Sequence, residues 1–115
     1  LDHCMNRRAG AADILARTVD LASFPNLYAK LTFAVTGSDE EYPCRDTHDL
    51  VHAVIEAYGA DRCIWGSDFP CELWCPKVTC AQHLRIFTDE MGLTEDARMA
   101  ALSGTAMGLY FGGGA

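Results

Sequence analysis

The sequence predicts an α/β fold with parallel strands. Three observations carry that prediction. Short runs rich in aromatic and β-branched residues alternate with helical segments of 10 to 15 residues or so, and that order implies right-handed βαβ crossovers. Half of the residues are hydrophobic and 22% are charged, enough to build a packed core. The chain is 115 residues long and holds three strands. A complete (β/α)8 barrel needs at least about 200 residues, so these residues cannot form one, but they can form the last part of one.

The elements follow in order. Leu1-Asp2-His3 read as the end of a strand whose beginning is missing. Ile14, Leu15, Val19 and Ala22 fall on one face of a helix over 9–22, and Pro25 and Asn26 end it. Residues 27–35 alternate for part of their length and read as a strand. Residues 36–43 have loop composition. Asp46 or Thr47 caps the next helix, and Asp49 in its first turn suits the macrodipole. Leu50, Val51, Val54, Ile55 and Tyr58 share its apolar face, and Gly59 stops it.

Residues 62–66 form a short apolar run, as expected of a buried parallel strand, and Ser67-Asp68-Phe69-Pro70 break it. A loop follows to Thr79, then a helix over 80–91. Thr94, with Glu95 and Asp96, starts another helix. Gly104 is expected to end that helix and Thr105 to cap a last one reaching Phe111. Residues 1–111 make one partial barrel domain, and 112–115 a flexible tail.

Charge narrows the function. Nine basic and sixteen acidic residues give a net charge of −7, which leaves no electrostatic case for nucleic acid or an anionic membrane as partner. No apolar run approaches the roughly 20 residues of a bilayer span. The first residues lack the pattern of a signal peptide, so the six cysteines are read as reduced thiols in a cytoplasmic protein.

In parallel sheets the functional groups sit at the C-terminal ends of strands. Two ionisable residues hold such positions, His3 and Asp68. A carboxylate there can take a proton from water or bind a metal, and an imidazole can bind a metal or polarise a carbonyl. On pattern alone a hydrogen-bonded core histidine for His3 and a helix-cap or turn aspartate for Asp68 are the better readings.

Ala60-Asp61-Arg62-Cys63-Ile64-Trp65-Gly66-Ser67-Asp68-Phe69-Pro70, preceded by Gly59, resembles the final-strand signature of the amidohydrolase-related family of metal-dependent hydrolases. Asp2-His3 resembles the end of that family's sixth strand, and Phe24-Pro25-Asn26-Leu27-Tyr28-Ala29-Lys30-Leu31 the entry to its seventh. Thr105-Ala106 with Leu109 and Phe111 resembles its closing helix, with threonine in place of the usual asparagine. The resemblance implies strands six to eight of a (β/α)8 TIM barrel. It implies that Asp68 activates the attacking water, and that His3 binds metal or polarises the substrate carbonyl. A divalent metal, zinc or manganese, would then be held by His3 and Asp68. The family's first-strand His-x-His pair has no counterpart here. Asp2-His3 and Lys30-Leu31-Thr32 favour the lactonase members over the nonoxidative decarboxylases of aromatic acids. The expected partner is a small-molecule substrate, and a homo-oligomer is compatible with the reading.

Other residues compete for attention. Cys71, Cys75, Cys80 and His83 could hold a structural zinc in a small non-catalytic domain, although their spacing matches no common zinc pattern. His48 and His52 lie one helical turn apart without the glutamate of a zincin motif, and read as a solvent face or rim. Lys30 either reaches a substrate carboxylate at the barrel mouth or is solvated. Ser67 reads as a turn residue, and Trp65 and Trp74 as core and loop anchors. Leu31, Phe33, Ile64 and Trp65 are candidates for the barrel's inner face. Bare of the remaining strands, that face and the two open sheet edges predict an isolated chain that is catalytically silent and associates or is partly ordered.

Overall fold

The computed structural model describes residues 12–67 and 78–112. Helix α1 (Ala12–Asp20) continues as a 3-10 turn, Leu21–Ser23. Strand β1 (Ala29–Lys30) follows, then α2 (Phe33–Thr36), a 3-10 turn at Arg45–Thr47 and α3 (His48–Tyr58). A 3-10 turn at Ala60–Arg62 leads into β2 (Cys63–Ile64). After the segment outside the described residues come α4 (Cys80–Arg85), α5 (Glu95–Met99) and α6 (Thr105–Tyr110).

The two strands pair in parallel, Ala29 with Cys63 and Lys30 with Ile64. The N–H of Leu31 extends the ladder to the Ile64 carbonyl at 2.8 Å. The chain between them crosses over through α3, as the alternation of strands and helices predicts. The strand expected over the first three residues lies outside the described residues.

The strand predicted over 27–35 is shorter, because its second half is helical. Thr32 leaves the sheet with φ −68° and ψ −21°, and α2 begins at once. Phe33, Ala34 and Val35 are all buried. Their aromatic and β-branched character therefore reflects burial, which a buried helical turn shares with a strand. The single inner face expected of Leu31, Phe33, Ile64 and Trp65 also divides. Alternation along the strands puts Leu31 on the face of Ala29 and Cys63, which is buried. Lys30 and Ile64 share the other face and are half-buried.

Helix α3 presents Val51, Val54 and Tyr58 to the core, with Leu50 and Ile55 packed beside them, as its periodicity predicts. Neither expected cap operates through its side chain. Thr47 donates to the carbonyls of Ala34 (2.7 Å) and Cys44 (3.0 Å), which ties the start of α3 to α2. The Asp46 carboxylate accepts from the Ser38 hydroxyl and the Asp39 N–H, closing the preceding loop. Gly59 does end the helix, at φ +83°, where its N–H reaches the Ile55 carbonyl. A Cβ there would lie 2.7 Å from the Asp61 carboxylate, so both backbone and space call for glycine.

Thr79 starts α4 with a full capping box. Its hydroxyl accepts from the Gln82 N–H at 3.1 Å, and its own N–H donates to the Gln82 side chain at 3.0 Å. The helix runs on into a π turn, Ile86–Glu90, which buries Ile86 and Phe87. Thr94 caps α5 as predicted, accepting from Ala97 at 3.2 Å, with Glu95 and Asp96 in the first turn. The expected stop at Gly104 does not occur. A π turn, Ala100–Gly104, carries the helix into α6 without a break. Thr105 is buried and caps nothing; its hydroxyl donates to the Ala60 carbonyl at 2.7 Å.

Candidate active site

Parallel pairing puts the C-terminal ends of β1 and β2 side by side. The residues there are Leu31 and Thr32 from one strand, and Trp65, Gly66 and Ser67 from the other. Three neighbours fix this edge. The Trp65 N–H donates to the Ala101 carbonyl at 2.8 Å, which joins the strand to the last helical segment. Gly66 lies so close to β1 that a Cβ would meet the Thr32 methyl group at 3.3 Å. A side chain at position 66 would therefore require the Thr32 methyl group to give way by a few tenths of an ångström. His83 of α4 packs beneath, with its ring centroid 5.5 Å from Trp65 and 6.1 Å from Phe87.

His83 is fully buried. Burial lowers its pKa from 6.5 to about 4. The imidazole is therefore neutral at pH 7. The Trp65 indole N–H is buried with no acceptor among the described residues.

His3 and Asp68, the residues expected to carry the chemistry and to bind metal, lie outside the described residues. Asp68 is the next residue in sequence after Ser67. Lys30 sits on β1 beside this end and is half-buried. Among the described residues no three His, Cys, Asp or Glu side chains gather to hold a metal ion, so that part of the chain does not fit a metal by itself. This bears also on the zinc reading of Cys80 and His83. Cys71 and Cys75, like Trp74, lie outside the described residues, and His83 is packed between aromatic rings.

The reading of His48 and His52 as a solvent rim is half corrected. His48 is buried, with its Nε2 at 2.7 Å from the Pro43 carbonyl, because the loop before α3 folds over it. His52 is exposed, and its Nε2 lies 2.8 Å from the Met91 carbonyl. Both imidazoles serve as backbone ties.

Two residues shape the edge in ways the sequence reading did not assign to them. Arg62 donates through Nε to Tyr58 (2.9 Å) and through its terminal nitrogens to Phe24 (2.8 Å), Ala22 (3.0 Å) and Leu27 (3.4 Å), all carbonyls. It also stacks over the Tyr58 ring at 5.2 Å. The arginine of the Ala60-Asp61-Arg62 stretch thus fastens the entries of both strands. His83 is the other; its place under β2 follows from tertiary packing, and the only local signal is the capping box that starts its helix.

Cys63 and Cys80 are free thiols among the described residues. No helix of the described residues is long and apolar enough to cross a membrane.

Comparison with known proteins agrees with this architecture. A family model described as amidohydrolase matches residues 3–112. Two solved structures of an amidohydrolase from Burkholderia multivorans are similar. The one with bound HEPES is 27% identical with a TM-score of 0.72, covering 93% of this chain and 42% of that one. The one with bound zinc is 25% identical with a TM-score of 0.66, covering 86% of this chain and 38% of that one. The chain therefore spans less than half the length of the structures it matches. No curated protein matches the chain at a significant level.

Proposed function

The chain belongs to the amidohydrolase family, and on that premise we propose that it supplies the C-terminal strands of a barrel hydrolase acting on a lactone or related cyclic ester. The observation that carries the reading is the edge at Trp65, Gly66 and Ser67. It is the C-terminal end of a parallel strand, fixed from three sides, and Asp68 is the next residue.

In this reading water attacks the acyl carbon and Asp68 takes its proton. His3 stabilises the oxygen that becomes negative, either directly by a hydrogen bond or through a divalent metal that it holds. Collapse breaks the acyl C–O bond of the ring, and the proton on Asp68 passes to the departing alkoxide. Lys30, on the half-buried face of β1, binds a carboxylate of the substrate. The zinc in one similar structure supports a divalent metal in the full-length protein, with His3 and Asp68 as this chain's donors; it would polarise the carbonyl.

The test is product analysis with the full-length protein on a panel of lactones. One carboxylate and one hydroxyl should appear for each ring opened. Release of CO2 from an aromatic acid, with no lactone opened, would replace this reading by a decarboxylase. Asp68→Asn should lower kcat by at least about 100-fold with near-normal folding, in line with general-base contributions.

A further inference from the structure

We propose that the loop over 37–44 and the π turn Ile86–Glu90 open and close as one unit, braced on α3 by His48 and His52 and joined to each other at Glu90. No step of the lactone chemistry is needed for this, and its test uses no substrate.

Three contacts form a closed ring. On α3 the two histidines lie one helical turn apart. The Nε2 of His48 is 2.7 Å from the carbonyl of Pro43, in the loop, and the Nε2 of His52 is 2.8 Å from the carbonyl of Met91, just past the π turn. A carbonyl only accepts, so each Nε2 donates. Glu90 closes the ring. Its Oε1 accepts from the Tyr42 hydroxyl at 3.3 Å, and its Oε2 from the Arg45 guanidinium at 3.4 Å. The corners of the ring are covalent neighbours: Tyr42 precedes Pro43, and Glu90 precedes Met91. No slack residue separates one contact from the next, so loosening one corner displaces the other.

Position gives the ring its role. The loop follows β1 through α2, and the π turn follows β2 through α4. The segments that leave the two strand ends of the candidate site are tied to a common helix and to each other. The loop has bonds of its own, from the Ser38 N–H to the Val35 carbonyl and from the Cys44 N–H to the Glu41 carbonyl. These shape the loop without joining it to the π turn. Exposed ion pairs contribute little singly, and Arg45 is 66% exposed. Tyr42, which packs against the core, is therefore the stronger link to Glu90. Segments joined in this way open locally as cooperative units, below the free energy of global unfolding.

The test is a double-mutant cycle read by amide exchange in the full-length protein, with His52→Ala, Glu90→Ala and the two together. Exchange is followed in residues 38–47 of the loop, 86–93 around the π turn, and 53–58 of α3 as a reference. His52 donates to Met91 and not to the loop. His52→Ala should nevertheless quicken exchange over 38–47 by at least about twofold, where loss of a whole hydrogen bond corresponds to about fivefold. Exchange over 86–93 should quicken as well, and 53–58 should stay near wild type. With Glu90→Ala already in place, adding His52→Ala should leave 38–47 unchanged. Tyr42→Phe, which removes only the hydroxyl, should also remove most of the effect, and it takes the place of Glu90→Ala if that variant does not fold. A change below about twofold over 38–47 in His52→Ala overturns the proposal, since independent sites add to within that margin. So does an effect on the loop that persists undiminished in Glu90→Ala. Equal quickening over 53–58 would mark a global loss of stability and would overturn it too.

Discussion

Replacing Arg62 by alanine removes a guanidinium that reaches four backbone carbonyls from four positions in the chain. The three shorter contacts, to Phe24, Tyr58 and Ala22, are 2.8, 2.9 and 3.0 Å long; the fourth, at 3.4 Å, adds little. A hydrogen bond in a protein contributes about 1 kcal/mol net. Stacking of the cation over Tyr58 adds about 0.5–1 kcal/mol. The Phe24 carbonyl is at the surface and can turn to water, so part of its share is regained. The expected loss for Arg62→Ala is about 2–4 kcal/mol. Urea unfolding of the full-length protein measures it as a drop in the midpoint at constant slope. Arg62→Lys should lose at least about half as much, because a point charge cannot span carbonyls that a planar fork spans. A loss below about 0.5 kcal/mol for Arg62→Ala, which is ordinary for a surface substitution, would refute the reasoning. So would a lysine variant as stable as the wild type.

Four further outcomes are expected. His83 titrates at about 4 in the folded chain against 6.5 unfolded, so its contribution is fully present above pH 6.5 and drains away as pH falls towards 4. That amounts to about 3 kcal/mol at most. Urea midpoints across that range should fall in the wild type and fall less in His83→Phe. Burial pushes the Cys63 thiol up to about 12, so a thiol reagent at pH 8 should label Cys80 and leave Cys63 unmodified until the protein unfolds; native labelling of Cys63 would contradict its burial. His52→Ala, which removes a tie to the Met91 carbonyl, should change turnover by less than twofold or so and lower stability by about 1 kcal/mol. The isolated 115-residue chain should be inactive and associate in a sedimentation experiment. Its C-terminal helical stretch, 95–111, leaves Met99, Met107, Tyr110 and Phe111 more than half exposed; a clean monomer with protected amides in both strands would overturn this.

What could be read in the sequence was what neighbours in the chain decide. The cap at Thr94 and the apolar stripe of Val51, Val54 and Tyr58 depend on residues within a few positions, and both are as expected. The stop at Gly59 is equally local. Phe33, Ala34 and Val35 show where local reading ends. Composition registers that they are buried, and burial alone does not separate a strand from a helical turn. Gly104 was misread for a related reason, since glycine permits a stop but tertiary contacts of Thr105 and Ala101 keep the helix going. At the site, the strand end before Asp68 was legible from the glycine and the turn residues around it. Arg62 and His83 were not, because the groups they meet lie as far as 40 and 18 positions away. Residue type shows that a side chain can bond, and only the fold shows to what.

The bond from Trp65 N–H to the Ala101 carbonyl joins backbone to backbone. Neither side chain takes part, so the stitch places no demand on which residues occupy positions 65 and 101. What it does demand is spacing. Deleting one residue between Thr94 and Ala101 would turn the Ala101 carbonyl by about 100° around the helix and draw it about 1.5 Å along the axis, out of reach of the strand. This backbone bond is therefore tolerant of substitution and intolerant of changes in length. Over evolutionary time the lettering of this helix can drift while its residue count up to the π turn stays fixed.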